Sequence, residues 1–165
     1  MKTTATAALL ASGLVLASLS WADHHEEENG SWFDQGTCSS CKTRSSNAEL
    51  MQSMKWETHK TEKGLLMVSM VPAEKLKEFE SCCKKMDQTA KDIASGKTKA
   101  DELCGFCDSM GELMEAGAKM QKIKTQFGMI TLITAEEPET IAMIHKHARR
   151  TVDEAKKLSG PVELR

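Results

Sequence analysis

The chain has 165 residues, 40% of them hydrophobic, and a formal net charge of −2. That length suits one domain behind a short targeting segment, and the near-balanced charge argues against a nucleic-acid partner, which needs a basic stripe. The six cysteines are the compositional feature that calls for a chemical reason.

Residues 1–22 read as a signal peptide. Lys2 supplies a positive start, Ala7 to Leu19 an apolar run, and Ser20-Trp21-Ala22 a small-x-small cleavage site. The run is shorter than the ~20 residues of a membrane span, and no later stretch is apolar enough to cross one. The expected product is exported, periplasmic or secreted. Cleavage removes Lys2 and no acid, so the formal charge becomes −3.

Residues 23–36, DHHEEENGSWFDQG, form an acidic leader without periodicity. After cleavage the chain would begin Asp23-His24-His25. A free α-amine, two backbone amides and the His25 imidazole can then wrap square-planar Cu(II) or Ni(II). His24 and His25 are therefore a separate, weaker candidate metal site; the competing reading is a solvated leader.

A single domain is expected over residues 37–160. Cys38 and Cys41 open it, followed by a short helix from Ala48 to Met54 with Leu50 and Met51 on its apolar side. Strands follow at Trp56 to Thr61 and Leu65 to Val71, joined by a turn at Glu62-Lys63-Gly64. Pro72 stands where a helix begins. Leu76, Phe79, Cys83, Met86, Ala90 and Ile93 then step by three and four along one helical face. The next stretch, 99–117, carries Cys104 and Cys107 on an expected helix. Strands at Lys119 to Gln126 and Met129 to Thr134 come next. A last helix carries Ile141, Ile144, Ala148, Val152, Ala155 and Leu158.

Aligning Gly64 with Gly128 superimposes the two hairpins, and one added residue aligns Phe79 with Ile144 and Cys83 with Ala148. The chain thus reads as a duplicated β-β-α unit, residues 55–96 and 119–158, around a central Cys-x-x-Cys helix. The fold class is α+β: a four-stranded, largely antiparallel sheet with helices packed on one face.

Two Cys-x-x-Cys pairs, Cys38/Cys41 and Cys104/Cys107, are the main candidate site. Residues three apart across a helical turn can present both sulfurs to one point. Two such pairs make a four-thiolate site suited to zinc, while soft thiolates also take copper as Cu(I). Export favours a competing reading, structural disulfides within or between the pairs. A third reading is thiol–disulfide exchange. Cys104-Gly105-Phe106-Cys107 is similar to the Cys-Gly-x-Cys tetrapeptide of thioredoxin-type oxidoreductases. However, no strand precedes it, and no proline is placed like the cis-proline loop of those enzymes.

Cys83 lies on the core stripe and Cys82 beside it. Alignment of the halves puts Cys82 opposite His147, a conceivable extra ligand pair, although a free thiol and a surface imidazole are the expectation. Of the eleven methionines, Met51/Met54, Met67/Met70 and Met110/Met114 fall on the same stripes as leucine and isoleucine and read as core filling in a chain poor in aromatics. No phosphate loop, nucleophile elbow, His-Glu-x-x-His motif or Ser-His-Asp set occurs. The expected function is therefore a non-enzymatic, exported metal-binding protein. The alternatives are a disulfide-stapled interaction module, its protein partner unknown, and an oxidoreductase.

Overall fold

The structure, a computed structural model, describes residues 31–34, 36–97, 99 and 103–159. The expected signal peptide and the expected His24/His25 site lie outside the described residues. Two short helices, α1 (Lys42–Ser45) and α2 (Ala48–Ser53), precede a hairpin of β1 (Lys55–Thr61) and β2 (Gly64–Met70). After Pro72 a single tight turn leads into α3 (Leu76–Ala94). Then come α4 (Gly105–Glu115), the hairpin of β3 (Lys119–Thr125) and β4 (Gly128–Thr134), and α5 (Pro138–Ser159).

The four strands form one antiparallel sheet in the order β1-β2-β4-β3. The fold is α+β, and the order β1-β2-α3 then β3-β4-α5 fits duplicated β-β-α units. The register of the central pair has an internal two-fold relation. Met67 faces Thr131 at its midpoint, and Gly64 and Gly128 sit opposite Thr134 and Met70 at its two ends. Backbone bonds obey the same relation: Val71 N–H donates to the Phe127 carbonyl at 2.9 Å, and Ala135 N–H to the Lys63 carbonyl at 3.0 Å.

Gly64 and Gly128 are required where they stand. Their φ angles are 147° and 148°, a region that strains residues with a side chain. A Cβ on Gly64 would lie 2.1 Å from the Ile133 carbonyl oxygen, and one on Gly128 2.1 Å from that of Ser69. Each hairpin turn thus presses its glycine against the inner strand of the other half.

Alternation along the strands sends Leu65, Met67, Val71, Met129 and Ile133 to one side of the sheet, and the helices cover that side. Each long helix lies over the hairpin of the opposite half. The α3 helix packs against β4, and its Asp87 and Glu80 pair with Lys122 and Lys124 of β3. The α5 helix packs against β2 and β1, and His145 Nε2–H donates to the carbonyls of Thr61 and Gly64 at 3.1 and 3.0 Å. Two matching core clusters result. One joins Leu65, Leu113, Ile133, Ile144 and Ala148; the other joins Met129, Leu50, Val71, Phe79 and Cys82. Full burial of such a side chain stabilises the fold by about 1.5–3 kcal/mol. Methionines 54, 67, 86, 110 and 114 pack around these clusters as expected of core filler.

The other side of the sheet carries Leu66, Val68, Met70, Ile130 and Leu132, half-buried and outside both clusters.

Three expectations are corrected. The central helix does not span 99–117: it starts at Gly105 and ends at Glu115, with Cys104 in extended conformation (ψ 163°) as its N-cap residue. Cys82, not Cys83, is the buried member of its pair, since α3 is turned so that residue 82 meets α1. The leader is not solvated throughout, because Trp32 is buried against α4 and α5.

Candidate metal centre

The two cysteine pairs reach a common point by different local means. Asp34 builds the first approach. Its Oδ1 accepts from the N–H groups of Gly36 and Thr37 at 2.8 and 2.9 Å, a side-chain-closed turn of the kind aspartate favours. That turn delivers Cys38. Another turn brings Cys41 round so that its N–H donates to Cys38 Sγ at 3.4 Å, and Lys42 N–H donates to the Cys38 carbonyl as α1 begins.

The second approach is the amino end of α4. A helix start leaves its first N–H groups without intrahelical partners. Here the preceding segment supplies them: Gly105 N–H donates to the Ser31 carbonyl at 3.4 Å and Phe106 N–H to the Trp32 carbonyl at 2.9 Å. Residue 105 suits glycine because a Cβ there would lie 3.1 Å from the Trp32 ring. Cys104 at the N-cap and Cys107 in the first turn then face the first pair.

All four sulfurs lie within 4.8 Å of one another. Cys41 Sγ is 3.6 Å from Cys104 Sγ and 3.7 Å from Cys107 Sγ. These separations are far beyond a disulfide bond of about 2.05 Å, and no two of the six cysteines are joined. They match the sulfur–sulfur edge of about 3.8 Å of a tetrahedron with metal–sulfur bonds of about 2.3 Å. Cys38, Cys41 and Cys104 are buried, with Leu103 and Phe106 packed against them; Cys107 is half-buried and forms the accessible side.

The sulfurs cannot all carry charge unaided. The thiols of Cys107 and then Cys41 hold Cys104 well below the usual thiol range, with nearby backbone N–H groups adding to the effect. The N-terminal position on α4 acts in the same direction. Hydrogen bonding with Cys104 pushes Cys107 up to about 12 and raises Cys41 further, and burial adds to both. A divalent cation at this point would replace the protons of Cys41 and Cys107.

An aromatic layer backs the site. Trp32, Phe33 and Phe106 pack with centroids 5.5–6.4 Å apart, and the Arg150 guanidinium sits 4.4 Å from the centre of the Trp32 ring. His147 of α5 lies 5.1 Å from Phe106 and 5.4 Å from Trp32, and its Nδ1 shares a 3.0 Å hydrogen bond with Ser109 Oγ. It is only 3% exposed, and burial pushes its pKa down to about 4, so the ring is neutral at pH 7. His147 Nε2 and Trp32 Nε1 are buried without a hydrogen-bond partner among the described residues.

The four cysteines named from the sequence therefore come together. Cys82 and His147 do not pair: Cys82 Sγ points to the Thr43 carbonyl at 3.8 Å, and His147, buried and not a surface imidazole, belongs with Ser109. His59 and Glu57 bond to each other at 3.1 Å on the β1 edge, away from the sulfurs. Sequence reading missed Asp34, Trp32 and Ser109. The available signals were two adjacent aromatics in a polar leader, and a hydroxyl residue two positions after each Cys-x-x-Cys.

Comparison of the chain with protein-family models, with curated proteins and with solved structures returns no match in any of the three.

Proposed function

We propose that the chain is an exported, non-enzymatic metal-binding protein holding one ion between Cys38, Cys41, Cys104 and Cys107. The observation that carries this reading is the convergence of all four Sγ atoms within 4.8 Å, with Cys41 at 3.6 and 3.7 Å from the other pair, close to a tetrahedral edge. Zinc is the first choice, because closed four-sulfur tetrahedral sites are its structural form. Copper as Cu(I) is the second, on ligand softness. Four protein ligands leave no position for substrate or activated water, which is why the reading is non-enzymatic.

Binding would exchange the protons of Cys41 and Cys107 for the ion, so affinity falls as pH falls. The apparent energy of such zinc sites, roughly 10–16 kcal/mol at neutral pH, is folding energy. The site would thereby fasten residues 31–45 to the start of α4.

The test is a paired count of metal and thiols on protein from its native compartment. About one equivalent of ion, with four thiols that react only after chelation, is the expected result. Zinc against copper is decided by elemental analysis of the same sample. Absence of both metal and free thiols favours the disulfide-stapled module. Absence of metal, with a dithiol that equilibrates with glutathione, favours the oxidoreductase; the position of Cys104 at a helix start is the observation on that side.

A further inference from the structure

The two halves agree over more than their hairpins. Each begins with its own sulfur pair: Cys38-Ser39-Ser40-Cys41-Lys42-Thr43 in the first, Cys104-Gly105-Phe106-Cys107-Asp108-Ser109 in the second. In each, a hydroxyl residue stands two positions past the second sulfur. Glu49-Leu50-Met51 and Glu112-Leu113-Met114 follow, and Leu50 and Leu113 are both 1% exposed in equivalent core clusters. The same alignment that sets Phe79 on Ile144 sets Cys82 on His147. Cys82 reaches residue 43, and His147 reaches residue 109. Each sulfur pair is thus fastened to the long helix of its own half from one equivalent position.

We propose that His147 is the positioning residue of the Cys104/Cys107 pair, acting through Ser109, in the place Cys82 takes for the Cys38/Cys41 pair. This rests on the metal-binding reading above. Successive helical residues are turned by about 100°, so Ser109 and Cys107 lie about 200° apart around α4. Holding Ser109 to His147 turns Cys107 away from α5 and toward Cys41. The imidazole also packs on Phe106, between the two sulfurs, and on Trp32, whose carbonyl receives the Phe106 N–H. Its burial leaves the ring no freedom to let α4 rotate. Residues that orient metal ligands in this way typically change metal retention 10–100-fold when removed.

The test uses the full chain loaded with zinc and follows release to a chromogenic chelator. Ser109→Ala and His147→Phe are each expected to speed release roughly tenfold or more. The double variant should be no faster than the faster single one, because one link is cut from two ends. His147→Asn, which places an amide atom where Nδ1 lies, should return release close to the parent rate. Ser109→Ala should also lower the melting temperature of the chelated protein, because it strips a buried imidazole of its partner. A merely structural bond would leave zinc release and the ligand-field spectrum of the cobalt-loaded chain unmoved, whereas the positioning role moves both. Parent-like release from Ser109→Ala overturns the proposal. So does multiplicative speeding in the double variant, or release from His147→Asn as fast as from His147→Phe. If His147→Phe does not fold, Ser109→Ala and His147→Asn carry the test. A parent protein that takes up no zinc overturns this proposal together with the metal reading, whereas zinc uptake with insensitive release overturns this proposal alone.

Discussion

The two sulfur pairs present the same ligands on unequal supports. Cys104 and Cys107 ride the first turn of the eleven-residue α4, whose leading N–H groups are already satisfied by Ser31 and Trp32. Cys38 and Cys41 ride two turns and the four-residue α1, and a break at Ser46-Asn47 separates them from α2. Three more residues lie between Cys41 and Leu50 than between Cys107 and Leu113, and they turn one helix into two. The difference shows that convergence does not require equivalent rigidity. One pair on an eleven-residue helix and one on two turns and a four-residue helix suffice, each followed by its own buried leucine.

The largest expected effect breaks the comparison outright. Cys41 Sγ lies 3.6 and 3.7 Å from the two sulfurs of the other pair. Cys41→Ser is expected to abolish stoichiometric zinc retention and remove most of the roughly 10–16 kcal/mol that such a site can supply. Cys107→Ser, on the accessible side, should retain cobalt weakly with a visibly altered ligand-field spectrum. Retention of a full equivalent of ion by both variants would mean that the sulfurs do not act as one cluster.

A second measurement asks whether the halves are energetically as alike as they are geometrically. Gly64→Ala and Gly128→Ala each place a Cβ 2.1 Å from a carbonyl oxygen at a positive φ. Both should lower stability by about 3 kcal/mol or more, read from urea midpoints at unchanged slope. A large gap between the two would show that one hairpin gives way and the other does not.

The smallest effect separates the halves by pH. The folded pKa of His147 is about 4, below its ordinary 6.5. The unfolded chain therefore binds more protons between those values, and stability falls as pH falls. The contribution is complete above pH 6.5. About 3 kcal/mol is lost by pH 4, as 1.36 kcal/mol per pKa unit requires. Chelated protein should show this loss in urea midpoints, and His147→Asn should flatten it. A slope surviving His147→Asn would place the acid sensitivity elsewhere.

Much of this architecture was readable in the sequence because it rests on periodicity. Gly64 and Gly128 marked both hairpins, the three- and four-residue steps of α3 and α5 marked their buried faces, and the spacing of the cysteines marked the site. The start of α4 was misread for a physical reason. Glu102 and Leu103 continue a helical pattern, but Cys104 is held extended by the segment that crosses it, and only tertiary contact supplies that segment. Trp32 was lost in the same way: a leader without periodicity gives no sign of docking until its partners on α4 and α5 are in place. The choice of Cys82 over Cys83 for burial depended on the rotation of α3 against α1, and α1 is too short to have a readable pattern.

With an ion in place, Cys41 and Cys104, 63 residues apart along the chain, become two points on a closed ring of polypeptide. The ring encloses the first hairpin and the whole of α3. Tension applied at the two ends of the domain would bypass everything inside it, because the load would run through the metal–sulfur bonds. Those 63 residues, roughly 200 Å when fully extended at 3.3 Å each, would remain hidden from a pulling force until the coordination ruptured or a chelator removed the ion.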